Sequence, residues 1–217
     1  MKAKSRKIQS GYWDRTILCE DCDKKILGRY DTYGKKFFSQ DFSSKIKTIN
    51  DPRGNAEYLH ITNFDYSLLK LFLLSVIWRA SICKKEQFSS VNLGSYEEII
   101  KDMIFSTKLT HENDTQIAMF TWKAPPKGLS FSKAIISPFK RNFGADVYSL
   151  VMAGFEILIK VSPLQSSIHM DGFNVVKPEG FVILSTDFEA SAVGKVTKKI
   201  RQRIQEAKYT EKQSHYQ

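Results

Sequence analysis

Two cysteines three positions apart, Cys19 and Cys22, are the residues of this 217-residue chain whose type and spacing point most directly to chemistry. In the surrounding segment Thr16, Ile17 and Leu18 suit a short strand and Cys19-Glu20-Asp21-Cys22 a tight turn. Ile26, Leu27, Tyr30, Tyr33 and Phe37 then recur on one helical stripe. Strand, C-x2-C and helix is the order of a zinc knuckle. It is equally the order of a dithiol redox motif, in which a helix N-terminus lowers a thiol pKa. Tetrahedral Zn²⁺ takes four ligands, and this knuckle supplies two. His60, Cys83, His111 and His169 are the further candidates, and none stands at a second knuckle spacing. Glu20, Asp21 and Asp23 put negative charge beside the pair and oppose thiolate formation. Three readings stay open: an unoccupied knuckle, a Zn²⁺ half-site completed elsewhere in the chain or by a partner chain, and a redox dithiol.

Other polar constellations carry less. His60 with Asn63 invites a nuclease reading, yet a histidine and an asparagine beside a helix cap are more often structural. His111, Glu112, Asn113 and Asp114 fall in the polar run TKLTHENDT, and consecutive loop side chains seldom converge on one metal. A Gly-rich phosphate loop, a nucleophile elbow and a paired double knuckle are all missing from the sequence, which disfavours nucleotide hydrolases and esterases. No catalytic residue is assigned, and the expectation leans away from an enzyme.

The net charge of +10 is unevenly spread. Residues 1–60 and 190–217 each carry an excess of +5, whereas 61–125 and 126–189 balance. Lys2, Lys4, Arg6 and Lys7 at one end, with Lys198, Lys199, Arg201 and Arg203 at the other, are candidate phosphate contacts. Cations that neutralise phosphates release counterions and so bind polyanions.

These residues must be positioned by a core, and its centre is Asp65 to Cys83. Leu68, Leu69, Leu71, Phe72, Leu73, Leu74, Val76, Ile77, Trp78, Ala80 and Ile82 point nearly all round a helix, the pattern of a buried element. Asp65 can cap it by accepting from the amide of Leu68, and Lys84 and Lys85 suit its C-terminal end. Lys70 and Arg79 interrupt the apolar run, which favours a core helix over a membrane span. Arg79, beside Trp78, then needs a carboxylate partner or an anionic ligand, the ion pair being the plainer choice.

Around that helix, 1–12 reads as a basic arm and 39–58 as a loop with a turn at Asp51-Pro52-Arg53-Gly54. A short strand at Tyr58–Thr62 follows. Ser95-Tyr96-Glu97-Glu98 has capping-box form and opens a helix to about Phe105. From Gln116 five β-rich runs follow, with Val147–Val161 as a hairpin turning at Ala153-Gly154. Glu156 alternates with Leu158 and Lys160 and reads as surface. Ala190–Tyr209 is a basic amphipathic helix with Val193, Val196, Ile200, Ile204 and Ala207 on its apolar stripe. The expectation is an α+β fold in one domain over 1–217. Its parts are a knuckle and helices at 13–105 around the buried central helix, a mostly antiparallel sheet at 116–189, and the basic helix and tail at 190–217. Three cysteines leave an odd thiol, which with the absence of an apolar leader points to a cytoplasmic protein without a membrane span.

The block QSGYWDRTILCEDCDKKILGRYDTYGKKFF, with LKLFLLSVIWRASI and LGSYEEIIKDMI after it, resembles a group of HNH-endonuclease-like bacterial proteins of mobile elements and genomic defence regions. The resemblance covers roughly residues 8–105. In that group a similar segment is the second half of a zinc-binding unit, and an upstream half supplies a further C-x2-C and the histidine that is the candidate catalytic base. Here 18 residues precede Cys19, none of them a cysteine, and the first histidine is His60. The resemblance therefore carries over Cys19 and Cys22 as a possible Zn²⁺ knuckle and nothing catalytic, as in a truncated, split or chemistry-depleted member. It implies a nucleic-acid-binding protein, DNA or RNA, linked to mobile elements or phage defence. The alternatives are a metal-dependent nuclease completed by another subunit, and a module that binds a protein partner.

Overall fold

The computed structural model describes residues 16–42, 45–49, 56–110, 114–123, 135–143, 146–163 and 175–189, and at the C-terminal end 191, 193–195, 197–199, 202 and 206. It is an α+β structure, with helices leading and a seven-stranded, mostly antiparallel open sheet following, then short helical turns at 193–195 and 197–199.

Helix α1 (Gly28–Phe38) continues a π-helical stretch, Cys22–Leu27. After β1 (Ile46–Ile49) and β2 (Ala56–Ile61) comes α2 (Tyr66–Ile82), then α3 (Tyr96–Ser106). The strands β3 (Gln116–Lys123), β4 (Ile135–Asn142), β5 (Asp146–Met152), β6 (Phe155–Lys160) and β7 (Phe181–Asp187) complete the chain order. Across the sheet the order is β1-β2-β7-β3-β6-β5-β4. Every pairing is antiparallel except β3 with β7, where Phe120 faces Leu184 in parallel register.

The central helix forms as its apolar pattern dictates. The Asp65 carboxylate accepts the Leu68 amide at 2.8 Å, and ten of the 17 residues of α2 are buried. Leu69, Leu73, Leu74 and Ile77 share one core with Tyr30 and Phe37 of α1, Ile100 and Ile104 of α3, and the inward residues Ile117, Ile157, Ile159 and Ile183 of the sheet. Aromatic contacts tie the layers: Phe38 meets both Phe72 and Phe155 at 6.0 Å, and Trp78 meets Phe105 edge-on at 5.7 Å. Tyr30 is fully buried, and its hydroxyl donates to the Ile104 carbonyl at 2.7 Å. Arg79 takes the ion pair, holding both oxygens of Asp31 at 2.7 and 3.0 Å and so linking α2 to α1.

The β5–β6 hairpin turns at Ala153-Gly154, with φ of 51° and 88°, the left-handed pair that a two-residue loop between twisted strands requires. Edge strand β4 carries Pro138 where its register with β5 slips, a position that owes no amide to the ladder.

Several expectations are corrected. Thr16–Leu18 are bends, not a strand. Within the expected loop of 39–58 lies strand β1, paired to β2; the turn at Asp51–Gly54 lies outside the described residues. Because β1 and β2 join β7, the sheet has seven strands rather than five and takes in part of the helical half. The capping box at Ser95 does not form: its side chain makes no cap bond, and the amides of Tyr96 and Glu97 are taken by the carbonyls of Leu93 and Gly94. Glu98, the carboxylate of the box, instead takes Lys101 at 2.9 Å, and Glu97 accepts from the Ser81 hydroxyl at 2.5 Å.

Glu156 is not on the surface, being 7% exposed. The face it shares with Leu158 and Lys160 carries a second covering, in which Ala118, Val147 and Leu158 pack with Val175, and Trp122 and Val151 pack with Phe188 and Val193. Alternation along β6 separates two faces, but both are covered.

Candidate functional site

Cys19 stands immediately before the first helical residue, Glu20, and its carbonyl accepts the Asp23 amide at 3.0 Å. Its sulfur accepts the backbone N–H of Cys22 at 3.3 Å. That is the bond a serine or aspartate makes at a helix N-cap, so Cys19 occupies a capping position with its sulfur at the positive end of the helix. Hydrogen bonding from Cys22, from its side chain first and its amide second, holds the Cys19 thiol below the ordinary cysteine range. Donation to Cys19 pushes the Cys22 thiol up.

Cys19 is exposed and Cys22 half-buried. Of the three acidic neighbours expected to oppose a thiolate, Glu20 pairs with Lys24 at 2.5 Å and Asp21 with Lys25 at 2.9 Å, and Asp21 still acts to raise both thiols. Behind the pair, the Gly28 amide reaches back five residues to the Asp23 carbonyl, the mark of the π-helical stretch.

The remaining metal-ligand candidates do not gather. His60 is exposed on β2, and Cys83 is buried at the C-terminal end of α2. Among the described residues no group of three or more histidine, cysteine, aspartate and glutamate side chains comes together. His111 and His169 lie outside the described residues, as does most of the polar run around His111.

Of the candidate phosphate contacts, Lys2, Lys4, Arg6, Lys7, Arg201 and Arg203 lie outside the described residues. Lys198 and Lys199 are described, and both are exposed. They follow a helical turn that is firmly seated. Ser191 accepts the Gly194 amide at 2.9 Å and donates to the Phe188 carbonyl at 2.6 Å, while Val193, 2% exposed, packs against Trp122, Val151 and Phe188. A Cβ at Gly194 would lie 1.9 Å from the Phe188 carbonyl oxygen, so only glycine permits this approach. Lys195 is exposed too, and with Lys198 and Lys199 it has the i, i+3, i+4 spacing of a single helical face. Exposed lysines also punctuate the path from the end of α1 into β1, at Lys35, Lys36, Lys45 and Lys47.

A polar cluster that sequence reasoning missed lies on the second face of the sheet. Glu156 accepts from Arg141 at 2.9 Å and from the Ser149 hydroxyl at 3.1 Å, and Lys160 donates to Gln116 at 3.0 Å. The Arg141 guanidinium also lies 4.7 Å from the centre of the Phe143 ring. The signal available in the sequence was Glu156 and Lys160, two charges on one face of the otherwise apolar β6. It could be interpreted only once β3, β4 and β5 were known to supply Gln116, Arg141 and Ser149.

No protein-family model matches the chain, and neither a curated protein nor a solved structure matches it. Among the described residues no helix is long and apolar enough to cross a membrane.

Proposed function

We propose that this chain is a nucleic-acid-binding protein that contacts the phosphate backbone through lysines, as its resemblance to HNH-like proteins without their catalytic half would imply. The observation that carries the reading is the seating of the C-terminal turns. Val193 and Gly194 seat the first of them against Trp122, Val151 and Phe188, and Lys195, Lys198 and Lys199 are exposed. Closely spaced exposed cations are what phosphate contacts need, because such contacts fix register and orientation without reading bases. The +5 excess at each end of the sequence adds long-range attraction to the same kind of ligand.

The test is binding of the full chain to labelled duplex DNA, duplex RNA and single strands, beside a K195A/K198A/K199A variant. Losing about three phosphate contacts is expected to weaken binding at least tenfold near 100 mM salt, uniformly across sequences. Equal affinity of variant and parent would remove these lysines from the interface.

A further inference from the structure

The pair of sulfurs at the head of the first helix is not used by phosphate binding, and its geometry is that of a reactive dithiol. We propose that Cys19 and Cys22 form a reversible thiol–disulfide exchange site, with Cys19 as the attacking sulfur, Cys22 as the resolving sulfur, and a small-molecule disulfide of the glutathione class as co-reactant. Cys19 is exposed, as an attacking sulfur must be, and receives the Cys22 amide at 3.3 Å. Cys22 is half-buried and lies one helical turn further on, three residues after Cys19. Residues three apart at a helix start have Cα atoms about 5 Å apart, inside the span of roughly 4.4–6.8 Å that a disulfide bridges. Two sulfurs with no third ligand beside them, among the described residues, suit exchange better than a closed tetrahedral metal site.

The exchange balances in two steps. The Cys19 thiolate attacks one sulfur of the small disulfide; the new S–S bond forms as the old one breaks, and one thiolate leaves. Cys22 then loses its proton to solvent, and its sulfur attacks Cys19 Sγ, expelling the second small thiolate. The protein gives up two electrons and two protons, and one disulfide becomes two thiols.

The test treats the full chain with oxidised glutathione and follows the tryptic peptide of residues 16–24, which holds both cysteines, by mass spectrometry. The parent protein is expected to lose two hydrogens in that peptide and to regain them with dithiothreitol. Cys22→Ser is expected to accumulate a glutathione adduct at Cys19, and Cys19→Ser to react at Cys22 about tenfold more slowly. Both variants should keep the parent's circular dichroism spectrum. Equal rates in the two variants, or a parent that stops as a glutathione adduct, would overturn the proposal. So would protein purified with zinc on the pair and inert to the disulfide until chelated. None of these results depends on nucleic-acid binding, so the two proposals fail separately.

Discussion

Replacing Gly34 with alanine sets two effects of opposite sign against each other at the contact between α1 and α2. A glycine inside a helix costs roughly 1 kcal/mol relative to alanine, so propensity alone predicts that Gly34→Ala stabilises. The structure predicts the reverse. A Cβ at Gly34 would lie 2.6 Å from each of three ring carbons of Phe72, where comfortable carbon contacts are about 3.5–4.0 Å. The two helices would have to part by about 1 Å, or the Phe72 ring would have to turn. Turning is opposed by Phe38, whose ring sits 6.0 Å from that of Phe72 and is itself held by Phe155. Overpacking of this kind costs about 1–3 kcal/mol, which leaves a net loss of about 1 kcal/mol after the propensity gain. Urea unfolding followed by circular dichroism would read this as a lower midpoint for Gly34→Ala. Phe72→Leu, destabilising by itself, should lose less than the sum of the single effects when combined with Gly34→Ala, with a coupling of about 1 kcal/mol. A midpoint that rises in Gly34→Ala, or strictly additive single and double variants, would refute the close approach.

Three further outcomes follow from the same contacts. Asp65→Ala removes the acceptor of the Leu68 amide and should lower stability by about 1 kcal/mol, while Asp65→Asn stays within a few tenths, both measured by urea unfolding. Glu156→Ala leaves Arg141 and Ser149 facing an emptied, largely buried site and should cost about 3 kcal/mol. The double variant Arg141→Met/Glu156→Met should cost less than that single change, since no charge is then stranded. Burial pushes the Tyr148 hydroxyl above the ordinary tyrosine range, and that hydroxyl donates to the Asn92 carbonyl. A proton held more tightly in the folded state gives stability that is complete below about pH 10 and lost as pH climbs through the folded value. Unfolding midpoints at pH 8 and pH 11 should therefore fall less in Tyr148→Phe than in the parent, with Tyr33, raised in the same direction by burial, keeping part of the slope.

What could be read in the letters was what short-range physics decides. The apolar residues of α2, its Asp65 cap and the turn at Ala153-Gly154 depend on neighbours within a few positions, and they appear where the pattern put them. The five runs after Gln116 are strands for the same reason. Strand β1 was hidden because Ile46-Lys47-Thr48-Ile49 is brief and set among serines, asparagine and proline, and its pairing with β2 supplies what local propensity does not. The parallel contact of β3 with β7 joins segments some sixty residues apart, as the pairing of Phe120 with Leu184 shows, and no local period encodes it. Glu156 was misread because alternation distinguishes the two faces of a strand but not solvent from a second layer. At the cysteine pair the spacing was legible. The capping role of the Cys19 sulfur, and the lysines that occupy Glu20 and Asp21, required the helix to be built first.

The central claim, attachment to nucleic acid through a few fixed lysines, is tested most directly by the salt dependence of binding. Fluorescence anisotropy of a labelled 30-base-pair duplex with the full chain, titrated at steps between 50 and 200 mM potassium chloride, gives the slope of log affinity against log salt. About three phosphate contacts predict a slope near −2.7 and a loss of roughly fortyfold across that range. A flat response, or no binding at the lowest salt, would contradict it.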